Sequence, residues 1–180
     1  GPKGKLVQIE IFAHGALCMA VSGKCYLSLD NFNSSANRGA CLQSCRRKYT
    51  VKDTESDLEL LVDGKYIMSP KDLNTVSFLD KILAAGVRVL KLEGRGRSAE
   101  YVKMVVSVYR QAVNAWFDGT YNNKNIEAWN GQLKKVYNRG YWDGYYLGRK
   151  TGEWTEEYGN QAIQRKIYIG KVILIVFGAT

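Results

Sequence analysis

Apolar and polar positions alternate first over Leu6-Val-Gln-Ile-Glu-Ile-Phe12, and these branched and aromatic side chains suit a pleated, half-buried surface. The pattern predicts a strand ending near Ala13. From His14 to Thr50 the periodicity disappears while Gly, Ser and Asn concentrate, which predicts a long functional loop. Leu58–Val62 and Lys65–Met68 then flank Asp63-Gly64, a dipeptide that supplies the positive φ angles of a tight hairpin. Ser69 reads as an N-cap, with Pro70 at the first helical position and Asp72 in the first turn, opening a helix that Gly86 closes. Val87–Leu92 reads as a second strand. After Glu93-Gly-Arg-Gly-Arg97, a fresh N-cap at Ser98 opens a helix whose residues Val102, Val105, Tyr109, Ala112 and Trp116 recur at helical spacing. A further helix is expected around Asn125 to Val136, a connector from Tyr137 to Gly148 and a late strand near Lys166 to Phe177.

The order helix, strand, helix over residues 70 to 117 is the repeating unit of an α/β protein with a parallel sheet. It places Glu93 and the neighbouring arginines at the carboxyl end of a strand, where such folds put their chemistry. No internal repeat or low-complexity tract interrupts the pattern.

Composition narrows the class. With 180 residues, 46% hydrophobic and 24% charged, the chain has the size and balance of one soluble globular domain. The most apolar run, Val172–Phe177, falls far below the roughly 20 residues a membrane span needs. No export leader is recognisable, so cytoplasm is the expected compartment, with secretion or surface display expected only for a protease. The 26 Lys and Arg against 17 Asp and Glu leave a formal charge of +9, which favours a polyanionic partner such as RNA and makes that binding salt-sensitive.

All four cysteines, Cys18, Cys25, Cys41 and Cys45, lie in the aperiodic stretch, separated by six, fifteen and three residues. Two disulfides would explain the clustering, but a cytosolic setting disfavours them. Structural zinc usually takes ligand pairs two to four residues apart, which suits Cys41 and Cys45 but not Cys18 and Cys25. A four-iron cluster accepts thiolates from loops of unequal length, so the spacing favours iron-sulfur, then zinc, then disulfides. Arg46, Arg47 and Lys48 would offset the negative charge of such a cluster, or serve with Arg97 as contacts to RNA.

Glu10-Ile-Phe12, Gly15-Ala-Leu-Cys18 and Gly23-Lys-Cys25-Tyr-Leu-Ser28 together resemble the signature of the U-thirty-two family of collagenase-like peptidases. The resemblance continues through Asn37-Arg-Gly-Ala-Cys41-Leu-Gln-Ser-Cys45-Arg46, Tyr66–Leu73 and Leu90–Arg95, covering most of residues 6 to 170. It implies the carboxyl-terminal half of a TIM-barrel-like α/β domain with a long cysteine-bearing loop insertion, followed by the start of a small C-terminal β region. Residues 1–118 would form the partial barrel and 119–180 the connector and first part of the β region. The missing amino-terminal half of the same protein would complete the barrel, and Val172–Thr180 departs from the family's usual continuation.

The resemblance also implies a 4Fe-4S cluster on Cys18, Cys25, Cys41 and Cys45, with hydroxylation of the tRNA wobble uridine and prephenate as oxygen donor. The family's older label implies the alternative, a peptidase that hydrolyses collagen. Proteolysis needs an activated nucleophile or water, and His14 is the sole histidine, with no His-Glu-x-x-His pair. Glu10, His14, Glu93 and Arg95 are the remaining catalytic candidates, since strand ends facing a barrel mouth would bring them together. His14 is otherwise a hydrogen-bonded loop residue, and salt bridging explains the rest. Trp142, Tyr145 and Tyr146 are candidates for stacking on unpaired bases, with core packing as their ordinary use.

Overall fold

The computed structural model describes residues 4, 7–21, 24–56, 59–60, 66–148 and 153–171, the pair 59–60 by backbone alone. Its longest element forms for local reasons. Ser98 accepts a hydrogen bond from the Tyr101 amide at 3.2 Å, capping a 19-residue helix over Ala99–Phe117. Tyr101, Val105, Val108, Tyr109, Ala112 and Ala115 lie on one face and are buried. The buried stripe sits one position away from the expected one at its start: Tyr101 is inside, and Val102 is 41% exposed.

In chain order the elements are β1 (Glu10–Gly15), α1 (Leu27–Phe32), β2 (Val51–Lys52), β3 (Glu59–Leu60), β4 (Asp72–Asn74), α2 (Leu79–Ala84), β5 (Val89–Leu92), α3 (Ala99–Phe117), α4 (Asn123–Leu133) and β6 (Tyr141–Trp142). Four strands form one sheet in the order β5-β1-β4-β6, and β2 pairs with β3 in a separate ribbon. Strand β1 runs parallel to β5 and antiparallel to β4, which in turn runs parallel to β6. The architecture is therefore mixed α/β, with one antiparallel pairing in its centre. Ala13 from the sheet, Val76 and Leu79 before and in α2, Val105 and Val108 from α3, and Trp129 and Leu133 from α4 share one hydrophobic core.

Several local expectations give way to tertiary pairing. Strand β1 lies farther along the chain than the alternation suggests: Val7 is exposed, and His14, expected in a loop, is an internal strand residue. No helix starts at Ser69 and Pro70. Pro70 bridges to Trp154, and Asp72–Asn74 is a buried central strand; a 3₁₀ turn over Val76–Phe78 then leads into α2, after which Gly86 turns at φ +91°. A capping signature describes local preference only, and two flanking strands here offer the backbone better partners. The presumed connector Tyr137–Gly148 contains β6, and Trp142 within it is 7% exposed. Asp63-Gly64 and Val172–Phe177 lie outside the described residues, whereas Ile67-Met68 forms a turn and Lys166–Lys171 has no regular structure. Helix α4 begins earlier than expected because the Asn122 side chain accepts from the Asn125 amide at 3.0 Å.

One hydroxyl joins three parts of this core. Tyr109 of α3 accepts from the Thr75 amide at 3.0 Å and donates to the Ala13 carbonyl at 2.8 Å, linking α3 to both β1 and the end of β4. Burial holds its own ionisation well above the usual tyrosine range. Tyr109→Phe leaves the ring in place but orphans a buried amide, so a loss of about 1–3 kcal/mol is expected in urea denaturation.

Candidate functional site

The aperiodic stretch is organised by polar side chains that satisfy its backbone. Ser28 in α1 is buried and accepts from the Leu42 amide at 3.1 Å; Asn37 accepts from the Cys25 amide at 3.1 Å; Ser34 donates to the Ala40 carbonyl at 2.8 Å; Tyr49 donates to the Ser44 carbonyl at 2.7 Å. These contacts bring Cys25 near the Cys41–Cys45 turn. All four cysteines are free thiols, with Cys25 and Cys45 half-buried and Cys18 and Cys41 exposed.

Their electrostatics show that they gather. Burial raises the Cys45 thiol pKa, Arg46 opposes the rise, and Cys18, Cys41 and Cys25 each add to it. All three are thus within electrostatic reach of Cys45. Among the described residues, no group of three or more His, Cys, Asp or Glu side chains is arranged to hold a metal ion. Four thiolates on a single tetrahedral ion at about 2.3 Å would lie about 3.8 Å from one another. A polynuclear core takes a wider set of sulfurs, and soft thiolates are its usual ligands. By donor chemistry the residues fit an iron-sulfur group.

Two guanidinium groups fasten this loop to the sheet. Arg46, next to Cys45, donates to the Leu17 carbonyl at 2.7 Å, the Ser69 hydroxyl at 3.0 Å and the Pro70 carbonyl, spanning the stretch before Cys18 and the entry to β4. Arg139, 6% exposed, pairs with Asp72, 2% exposed, at 3.3 Å, and Asp72 also accepts from the Arg139 amide at 3.1 Å. The other arm of Arg139 donates to the Gln43 side chain at 3.0 Å. Gln43 lies between the last two cysteines in the left-handed region at φ 53°, and its amide donates to Cys41 Sγ at 3.4 Å. An amide–sulfur bond of this kind tunes a thiolate ligand. Backbone strain at a non-glycine residue is sustained where surrounding contacts over-determine it, as they do here.

Of the four catalytic candidates, Glu10 stands apart from the other three. Glu10 is exposed and lies opposite Val89, whereas His14 lies opposite Leu92, about 13 Å farther along the strand. Glu93 follows β5 at the same end as His14; its amide donates to the His14 carbonyl at 2.8 Å and its carboxylate accepts from the Arg95 amide at 2.9 Å. The close approach requires Gly15: at φ +125°, a Cβ there would sit 2.7 Å from the Glu93 Cβ. His14 is fully buried among the rings of Tyr101, Tyr109 and Tyr141, and burial lowers its pKa to about 3. It is a fully buried core residue.

The basic candidates divide by use. Arg46 spends its donors on the protein. Arg47 and Lys48 are exposed, lying 4.9 Å from the Phe32 ring centroid and 5.6 Å from that of Tyr66. Arg97 packs 3.9 Å from the Tyr137 ring centroid. Sequence reasoning missed Gln43, Asp72 and Arg139 as parts of the site, since no local spacing links positions so far apart. Phe12, Met19, Trp142, Tyr145, Tyr146 and Trp154 surround a cavity of about 450 Å³ that reaches Cys18. No helix among the described residues is long and apolar enough to cross a membrane.

Comparison with known proteins adds a family. The profile described as Peptidase family U32 matches residues 3–156. A protein named Collagenase from Porphyromonas gingivalis is 61% identical over 96% of this chain and 42% of its own length. A tRNA hydroxylation protein from Bacillus subtilis is 39% identical over 74% of the chain and 32% of its own length. A 23S rRNA 5-hydroxycytidine synthase from Escherichia coli is 44% identical over 59% of the chain and 16% of its own length. The chain spans less than half the length of these relatives. No solved structure gives a significant match.

Two measurements check the site's construction. Arg139→Leu strands the buried Asp72 carboxylate and is expected to cost about 3–5 kcal/mol, much of it recovered in the Asp72→Leu/Arg139→Leu pair, as read by urea unfolding. The neutral His14 makes stability pH-dependent. Its folded pKa of about 3 lies below the ordinary 6.5, so the unfolded state binds the extra proton between these values, and stability falls as pH drops through that window. The parent should lose about 1.4 kcal/mol per pH unit there relative to His14→Gln; parallel curves would refute the assignment.

Proposed function

We propose, from the premise that this chain belongs to peptidase family U32, that it is the cluster-bearing part of an oxidative RNA-modifying enzyme. Cys18, Cys25, Cys41 and Cys45 would hold a 4Fe-4S cluster. The observation that carries the reading is the gathering of three free thiols around the half-buried Cys45. When bound, the cluster would supply redox chemistry. The chain's own residues hold it in place: Arg46 locks the ligand loop to the entry of β4, Gln43 donates an amide to Cys41, and Arg139 orients Gln43. In this reading the substrate is a tRNA wobble uridine and the oxygen donor prephenate, as expected from the family resemblance. The parallel β1–β5 pair and its helices would belong to a barrel-like domain completed by the rest of a longer protein.

Charge and chemistry support RNA. The net charge of +9 favours a polyanion, and the relatives from Bacillus subtilis and Escherichia coli are named for hydroxylating tRNA and rRNA. Hydrolysis of collagen is the second reading, favoured by 61% identity to a protein named Collagenase. A His-dependent mechanism would be expected to recruit its histidine from elsewhere, because His14 is fully buried and burial leaves it a weak base, with its pKa lowered to about 3. Zinc in place of the cluster would accompany that second reading.

Anaerobic reconstitution with iron and sulfide tests the first step. About four irons per chain, a broad visible absorption and a paramagnetic signal on reduction are expected, with Cys45→Ser losing most of the iron. A colourless protein holding one zinc would defeat the cluster. Nucleoside mass spectrometry of tRNA from a deletion strain then tests the activity: loss of a hydroxylated uridine, restored by the full-length gene, is expected. Unchanged tRNA together with collagen cleavage by the full-length protein would transfer the assignment to the second reading.

A further inference from the structure

Cys18 borders the aromatic cavity, and the cavity's walls are built rather than incidental. At about 450 Å³ it falls within the range of small-ligand sites. Trp142 is fixed by β6 and meets Tyr145 edge-on at 5.3 Å between ring centroids. Tyr146 is anchored by donation to the Phe12 carbonyl at 2.7 Å. Tyr145 is 65% exposed, leaving an aromatic face at the entrance. Trp142 is 7% exposed, and its Nε1–H has no hydrogen-bond partner among the described residues. A buried donor without a partner is a costly state.

A second cavity, about 570 Å³, lies on the other side of the Arg46 clip and reaches Cys41. The two adjoin because Arg46 lines the second while bonding Leu17 and Pro70 of the first. On the wall of the second, Arg46, Arg47 and Arg139 outnumber Glu157. Arg46 and Arg139 are engaged by protein acceptors; Arg47 is exposed. An aromatic slot beside a guanidinium-rich cavity matches a ligand that carries a flat ring and an anion. Aromatic grooves also accept proline rings, but a proline-rich peptide brings no anion to the arginine side.

We propose that the slot bounded by Cys18, Trp142, Tyr145 and Tyr146 stacks one unpaired nucleobase of an RNA, with a backbone phosphate facing Arg47. The proposal rests on the RNA-modifying reading and specifies where the target base would lie: against the Cys18 side of the thiol group. Stacking between base and aromatic ring tolerates any base, so the slot supplies affinity and position while other contacts select the nucleotide.

The test titrates the full chain, iron-loaded and iron-free, with uridine 5′-monophosphate, ribose 5-phosphate and a Pro-Pro-Gly repeat peptide, reading tryptophan fluorescence. Saturable quenching by the nucleotide but not by the sugar phosphate is expected, roughly 10-fold weaker in Tyr145→Ala and retained in Tyr145→Phe. Arg47→Ala should weaken nucleotide binding and flatten its salt dependence. Circular dichroism confirms folding of each variant, and the exposed Tyr145 and Arg47 are chosen for that reason. Equal effects of nucleotide and sugar phosphate, or quenching by the peptide alone, would overturn the proposal. Iron uptake without nucleotide binding sinks the slot and spares the cluster; nucleotide binding in a chain that takes up no iron supports the slot and sinks the cluster.

Discussion

A buried ion pair has to be matched on both sides, because a lone charge taken from water costs several kcal/mol. Asp72 and Arg139 meet that condition from strands β4 and the turn before β6, and the guanidinium has donors left over. Those donors reach Gln43, between two cysteines, so the electrostatic need of a buried carboxylate in a central strand fastens the cysteine loop. Arg46 repeats the device a few residues on, satisfying two backbone carbonyls and a hydroxyl from separate stretches. Few apolar side chains of the loop enter the core, so its position depends on these directional contacts rather than on hydrophobic burial.

Such fastening has a chemical consequence. Burial raises the Cys45 pKa first and the three neighbouring thiols add to it, and positive charge nearby relieves that repulsion. The adjoining guanidinium offsets part of it. The same clip separates two cavities of opposite character, aromatic toward Cys18 and basic toward Cys41. Free thiols, an apolar slot and a positive cavity therefore meet within one loop–sheet junction.

Family U32 carries two kinds of name, and this region of the chain bears on both. The Collagenase relative aligns over 96% of the chain, which takes in the stretch that holds the cysteines, and the hydroxylation proteins align over 74% and 59% of it. The only histidine is enclosed by three tyrosine rings, and burial lowers its pKa to about 3, which makes it a weak base. Glu93 is tied to the Arg95 amide and abuts Gly15 at the end of β1.

Local chemistry was enough to read the Ser98-capped helix, the strand ending at Leu92, the glycine stop at Gly86 and the cysteine grouping, because caps, turns and hydrophobic period act over a few residues. Motif spacing likewise carried the family resemblance. Tertiary structure alone decided that Ser69-Pro70-Lys71-Asp72 enters a central strand rather than a helix, that His14 is sealed inside β1, and that Glu10 stands at the far end from Glu93. It also decided the alliance of Gln43, Asp72 and Arg139. Strand pairing and buried charge are satisfied by whatever partner the fold brings near, and sequence distance carries no record of that choice.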